Sequence, residues 1–133
     1  MTASPRYPLS MIVDDNELDS FVLKNVLSAN GFSSEALLMS DARAALDYLK
    51  ANNATAEKLP RIIFLDIMTP GMDGFEFLDE FGKLSQEVRD TCRIILISTS
   101  ESFKDLNRAN KNRFVYRFLN KPITEAMLNA ISI

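Results

Sequence analysis

Short apolar runs alternate with longer stretches whose apolar residues recur every three or four positions, almost from one end of the chain to the other. Short runs bounded by turn-forming residues read as buried strands, and the longer periodic stretches as amphipathic helices. The first strand is predicted at Leu9 to Val13. A helix follows, with Leu18, Phe21, Val22, Asn25, Val26 and Ala29 at helical spacing, and Gly31 ends it where a left-handed cap residue is favoured. Ser34 to Leu38 reads as the second strand. Ser40 or Asp41 then caps a helix whose buried stripe is Ala42, Ala45, Leu46 and Leu49.

Asn52 to Lys58 is a polar loop, and Pro60 introduces a third strand, Arg61 to Leu65. The segment Thr69-Pro70-Gly71-Met72-Asp73-Gly74 is a dense turn signal. The third helix is predicted from about Gly74 to Leu84, with Phe77, Leu78, Phe81 and Leu84 inward. Ser85 to Asp90 reads as a second polar loop, before a fourth strand at Arg93 to Ile97. The fourth helix, near Phe103 to Lys111, has few apolar positions beyond Phe103, Leu106 and Ala109. A fifth strand at Val115 to Leu119 and a short fifth helix from Thr124 to Ile131 complete the pattern.

Strands that alternate with helices imply βα units and right-handed crossovers. The expected fold is α/β: a doubly wound, five-stranded parallel sheet of flavodoxin-like type, order 2-1-3-4-5, with helices on both faces. At 133 residues the chain is expected to be a single domain with a core from about Leu9 to Ile131. There are no repeats and no low-complexity tracts.

Composition mainly excludes. Hydrophobic content of 47% and charged content of 25% are those of a globular protein. A formal net charge of −3 without a basic stripe gives no case for nucleic acid. There is no histidine, which removes imidazole bases and imidazole metal ligands. The single cysteine, Cys92, precedes an apolar strand and reads as a buried, unreactive thiol. Met1 to Pro8 lacks the apolar core of a signal peptide, and no apolar run approaches the roughly 20 residues of a membrane span. A reducing, cytoplasmic setting without membrane partners is expected.

The candidate chemistry lies where the strands stop. Asp14 and Asp15 follow Met11-Ile12-Val13, Asp66 follows Ile62-Ile63-Phe64-Leu65, Ser98 closes Ile94 to Ile97, and Lys121 follows Val115 to Leu119. In an open parallel sheet these ends share one edge, and ligands bind there. Asp14 or Asp15 alone could simply cap the next helix. Asp66 could not, because a turn rich in proline and glycine follows it. Two unit charges 4 Å apart repel by about 4 kcal/mol at an effective dielectric near 20. Grouped carboxylates therefore call for a cation, and a hard ion such as Mg²⁺ suits carboxylate, carbonyl and water oxygens. Lys121, between the last strand and Pro122, would add a point charge for a phosphate, and the X-Pro bond in such a turn can be cis.

Asp14-Asp15, Asp66 with Pro70-Gly71-Met72-Asp73-Gly74, Ser98 with Thr99, and Lys121-Pro122 together resemble the receiver domain of two-component response regulators, the family of the bacterial chemotaxis receiver. The resemblance runs from about Leu9 to Ile131. It implies that Asp66 is the phosphoacceptor, taking its phosphoryl group from a phosphohistidine on a histidine kinase or histidine phosphotransfer protein. It also implies that Asp15, Asp66 and the backbone carbonyl of Met68 ligate Mg²⁺, with Asp14 acting largely through a water on the ion. Lys121 would neutralise a phosphoryl oxygen and Ser98 would donate a hydrogen bond to it.

The family's switch would have Ser98 move toward the phosphate and Phe118 swing into the space it leaves; many receivers carry tyrosine at that position. The output surface would be the fourth predicted helix, the fifth strand and the last helix, facing a downstream protein that the sequence does not identify. Met68 and Ser100 would tune the lifetime of the phosphoryl group, and Thr99 is bulkier than the alanine often found after the hydroxyl residue. Nothing after the last helix reads as an output domain, so a stand-alone phosphoacceptor is expected, a signalling domain and not an enzyme beyond its own phosphorylation and dephosphorylation. A pseudo-receiver that binds partners without phosphate is the alternative. An aspartate-nucleophile phosphatase is disfavoured, because Asp66-Ile67-Met68 lacks a second acid.

Overall fold

The computed structural model describes residues 6–99 and 103–131. Its strands are β1 (Tyr7–Val13), β2 (Ser33–Met39), β3 (Ile62–Asp66), β4 (Arg93–Ser98) and β5 (Val115–Asn120). Its α-helices are α1 (Glu17–Ala29), α2 (Ala42–Ala51), α3 (Gly74–Phe81), α4 (Gln86–Thr91), α5 (Phe103–Lys111) and α6 (Glu125–Asn129). The strands form one parallel sheet in the order β2-β1-β3-β4-β5, as the alternation of elements predicts.

The sheet is buried on both faces, so its central strands are near-continuous apolar runs instead of alternating ones. Met11, Val13, Ile63, Leu65, Ile94 and Leu96 point into one core layer, with Ala45, Leu46 and Leu49 of α2 and Phe77, Leu78 and Phe81 of α3. Ile12, Ile62, Phe64, Ile95 and Ile97 point into the other, with Leu23 and Leu27 of α1 and Leu128 of α6. Successive strand residues alternate between the layers, as the pleat requires.

Local signals set most boundaries. Asn16 caps α1 by accepting the backbone N–H of Asp19, so neither Asp14 nor Asp15 is used as the cap. Gly31 follows α1 with φ of 66°, the left-handed conformation expected of it. Asp41, not Ser40, caps α2 through the Ala44 N–H at 2.7 Å. Asp73 and Glu76 form a reciprocal capping box at the start of α3.

Three details differ from expectation. The stripe of Leu18, Phe21 and Val22 on α1 is not the buried one: these side chains are 69%, 59% and 49% exposed, while Ser20, Leu23 and Leu27 face the sheet. Helical spacing identifies a helix but does not choose between two apolar stripes on roughly opposite sides of it. The polar stretch after Leu84 contains α4, capped by Ser85 and anchored by buried Val88. The loop after α2 likewise holds a single 3-10 turn, Ala56–Lys58.

Candidate functional site

Register brings the strand ends together. Val13 pairs with Leu65 and Asp66 with Ile97, so Asp14 and Asp66 leave adjacent strands at the same level. Ser98 pairs with Asn120, and the Lys121 backbone N–H donates to the Ser98 carbonyl at 2.9 Å, which fixes the start of the chain segment that carries the amine. The Lys121–Pro122 peptide bond is cis.

Asp14 and Asp66 are buried carboxylates at the ends of two apolar strands, and Asp15 beside them is exposed. Oxygens of Asp14, Asp15 and Asp66 all lie within 4.8 Å of one another. Two backbone N–H groups orient the buried pair: Asn16 donates to Asp14 Oδ1 at 2.9 Å, and Met68 donates to Asp66 Oδ1 at 2.8 Å. The second oxygen of each faces Lys121. Its Nζ donates to Asp14 Oδ2 at 2.6 Å and to Asp66 Oδ2 at 2.8 Å, and it also reaches Asp19 Oδ2 at 3.0 Å.

The electrostatics follow from burial and pairing. Burial raises the Asp14 carboxyl above its ordinary value, only partly opposed by the hydrogen bonds from Lys121 and Asn16. Burial alone would depress the Lys121 amine, but hydrogen bonds to Asp14, Asp66 and Asp19 outweigh it and hold the ammonium above the usual lysine range. The edge is thus a cluster of carboxylates organised around one firmly charged cation.

The turn after Asp66 is held as a unit. Gly74 N–H donates to the Ile67 carbonyl at 2.8 Å, and the Thr69 hydroxyl donates to the Met72 carbonyl. A Cβ on Gly74 would lie 2.9 Å from the Ile67 Cα, so only glycine lets α3 start this close to the strand end. Met68 projects outward, 71% exposed, at the mouth of the site. Ser98 is buried at the end of β4, Thr99 next to it is exposed, and half-buried Phe118 packs against the core layer of α2 and α3. Ser100 lies outside the described residues.

All the carboxylates singled out from the sequence, with Ser98 and Lys121, therefore meet at one edge. Asp19 was missed. It is an unremarkable first-turn acid in a linear reading, and its one signal is its place on the first turn of α1, just beyond the strand end that carries Asp14 and Asp15. Beside it a groove of about 340 Å³ runs between α1 and the β5–α6 connection, lined by Leu18, Val22, Ile97, Pro122 and Ile123, with Asp14, Asp19 and Lys121 at its polar end.

Comparison with known proteins agrees with this geometry. Residues 11–132 match the model of the response regulator receiver domain. The chain is 32% identical over 114 residues to the probable methanogenesis regulatory protein FilR2 of Methanothrix harundinacea, covering 86% of this chain and 72% of that protein. It is 27% identical over 127 residues to the sensor histidine kinase GacS of Pseudomonas protegens, covering 96% of this chain but only 13% of that protein. The crystal structure of a two-component response regulator from Cytophaga hutchinsonii is similar with a TM-score of 0.85 at 25% identity, covering 92% of each chain.

Proposed function

Because the chain belongs to the receiver-domain family of two-component response regulators, we propose that it accepts a phosphoryl group on Asp66 from a phosphohistidine of a partner protein. Receiver domains are signalling domains and take phosphate from histidine kinases. The observation that carries the reading is the Lys121 ammonium bound to both Asp14 and Asp66 at the strand edge, with Asp15 within reach.

In the transfer, an Asp66 oxygen attacks phosphorus as the phosphorus–nitrogen bond to the donor imidazole breaks. The imidazole leaves with the bonding pair, and Asp66 becomes an acyl phosphate. Protein catalysis of such a transfer consists of positioning and charge stabilisation. The Met68 N–H holds one Asp66 oxygen and so orients the carboxylate. Lys121 stands ready to neutralise a phosphoryl oxygen, and Ser98 sits on the neighbouring strand end to donate a hydrogen bond.

Receiver domains bind a divalent metal, typically Mg²⁺, at an acidic cluster, and this chain has such a cluster. Its hard oxygen donors fit that ion, since Asp15 is exposed and the clustered oxygens belong to separate segments. Asp15, Asp66 and the Met68 carbonyl would hold it, with Asp14 behind them. When bound, it supplies positive charge against the repulsion between Asp66 and the phosphoryl oxygens.

A protein donor must bring its imidazole over Asp66. The exposed Leu18, Phe21 and Val22 of α1 offer an apolar face beside the site for it to rest on. Phosphorylation would then draw Ser98 inward and let Phe118 follow, changing the surface of α5, β5 and α6 for a downstream protein. Among the described residues no helix is long and apolar enough to cross a membrane.

The test is direct. The protein is incubated with Mg²⁺ and acetyl phosphate or phosphoramidate, then weighed by mass spectrometry beside Asp66→Ala. One added phosphate on the wild type alone supports the proposal; none under forcing conditions favours a phosphate-independent interaction module.

A further inference from the structure

The Lys121 ammonium contacts three carboxylates at once, at 2.6 Å for Asp14, 2.8 Å for Asp66 and 3.0 Å for Asp19. Two of these partners belong to the oxygen cluster that a divalent ion would occupy, and Asp19 lies outside it. An ammonium and a metal ion compete for the same carboxylate oxygens, because each draws stabilisation from their negative charge. A metal entering the cluster must therefore displace Lys121 from Asp14 and Asp66. The displaced ammonium would be left in a half-buried position, where an unpaired charge is costly.

Asp19 is placed to prevent that. Its side chain is 42% exposed, it stands on the first turn of α1, and it flanks the groove mouth beside Lys121. We propose that Asp19 is a positioning residue that keeps the Lys121 ammonium paired while Asp14 and Asp66 turn to the metal. The amine then stays at the edge of the site, within reach of an arriving phosphoryl oxygen, without occupying the metal's ligands. This inference rests on the phosphoacceptor reading above. It adds a group whose action on metal binding runs through Lys121 and not through contact with the ion.

A first-turn acid also interacts favourably with the N-terminal end of its helix. That role would change thermal stability, but it would not make metal affinity depend on Lys121. A double-mutant cycle separates the two. Wild type, Asp19→Asn, Lys121→Met and the double variant are titrated with Mn²⁺, followed by loss of the free-ion electron paramagnetic resonance signal. Asp19→Asn removes the charge and weakens the hydrogen bond from Lys121, so its Mn²⁺ dissociation constant should rise severalfold over wild type. In the Lys121→Met background the competing cation is gone, so binding is tighter than in wild type and adding Asp19→Asn changes it by less than about twofold.

With acetyl phosphate as donor, Asp19→Asn should need more Mg²⁺ for half-maximal labelling than wild type, and the Lys121→Met background should remove that difference. Unchanged Mn²⁺ affinity in Asp19→Asn overturns the proposal. So does an equal loss in both backgrounds, which would mean that Asp19 acts by its own charge. If wild type itself binds no Mn²⁺, the metal-dependent reading of the site falls, and this inference with it.

Discussion

Lys121 Nζ lies 2.8 Å from Asp66 Oδ2 while the same nitrogen lies 2.6 Å from Asp14 Oδ2, so a single cation bridges the two buried carboxylates of the site. The Asp14 side chain is 1% exposed, the Asp66 side chain 10% and that of Lys121 12%. Removing one partner of a buried charge cluster leaves the others uncompensated, and this is where buried ion pairs have their largest energetic effect. Lys121→Met is therefore expected to lower the stability of the metal-free protein by about 3 kcal/mol. Saturating Mg²⁺ should recover much of that loss, because it supplies the missing positive charge and binds only the folded form. Urea unfolding with and without Mg²⁺ checks this, and an equal loss in both conditions would refute it.

The close approach of Gly74 to Ile67 supports a second expectation. A methyl group at position 74 would meet the Ile67 Cα at 2.9 Å and Leu96 Cδ2 at 3.4 Å, and the first of these contacts is backbone that cannot rotate away. Gly74→Ala should cost about 2 kcal/mol by overpacking. It should also shift the turn whose Met68 N–H orients Asp66, so acetyl phosphate labelling should slow by more than the fraction unfolded explains. Thermal unfolding and labelling rate on the same preparation separate the two effects.

How much of this was legible beforehand differs from residue to residue. Asp14, Asp66, Ser98 and Lys121 were legible because each lies at or just past the end of a strand-like run, and a parallel sheet brings such ends to one edge whatever the loops do. The buried stripe of α2 was legible because the helix has only one apolar side. The orientation of α1 was not: Leu18, Phe21 and Val22 form a stripe as regular as that of Leu23, Val26 and Leu27, and only packing against Ile12 and Phe64 decides between them. Helix α4 was hidden because six residues with one buried apolar side chain, Val88, carry almost no periodic signal. The spacing of Leu84, Val88 and Cys92 behind the Ser85 cap was the trace it left. Asp19 was hidden because its importance comes from Lys121, which is distant in sequence.

Cys92 carries a pH dependence of known sign. It is buried between α4 and β4, and burial pushes its thiol up to about 12, with Arg93 and Arg61 only partly opposing. The unfolded chain releases this proton near 9.0, whereas the folded protein keeps it until about 12. The unfolded state thus binds fewer protons across that interval, so stability falls as pH rises through it and is fully present below it. Wild type should lose stability more steeply above pH 9.0 than Cys92→Ala, as read from urea midpoints along a pH series. Near neutral pH a disulfide reagent should label native Cys92 only as fast as the protein opens. Immediate labelling of the native protein would contradict the burial.

Met68 faces solvent at the mouth of the site, 71% exposed, while its backbone N–H holds Asp66 Oδ1. Hydrolysis of an acyl phosphate on Asp66 needs a water placed in line with the scissile bond. A side chain two residues along the same turn is well placed to present one. A thioether is too weak an acceptor to hold that water, so the phosphoryl group is expected to be long-lived. An amide at this position can hold water by both donating and accepting. Met68→Asn is therefore expected to shorten the lifetime severalfold at saturating Mg²⁺, without changing the Met68 N–H contact to Asp66, because that contact comes from the backbone. Decay of the phosphorylated species after removal of the phosphodonor, followed by intact-mass spectrometry, gives the two rates. Met68→Leu controls for the change of shape and should decay as slowly as wild type. Equal decay in Met68→Asn and Met68→Leu would show that the water is placed by other groups.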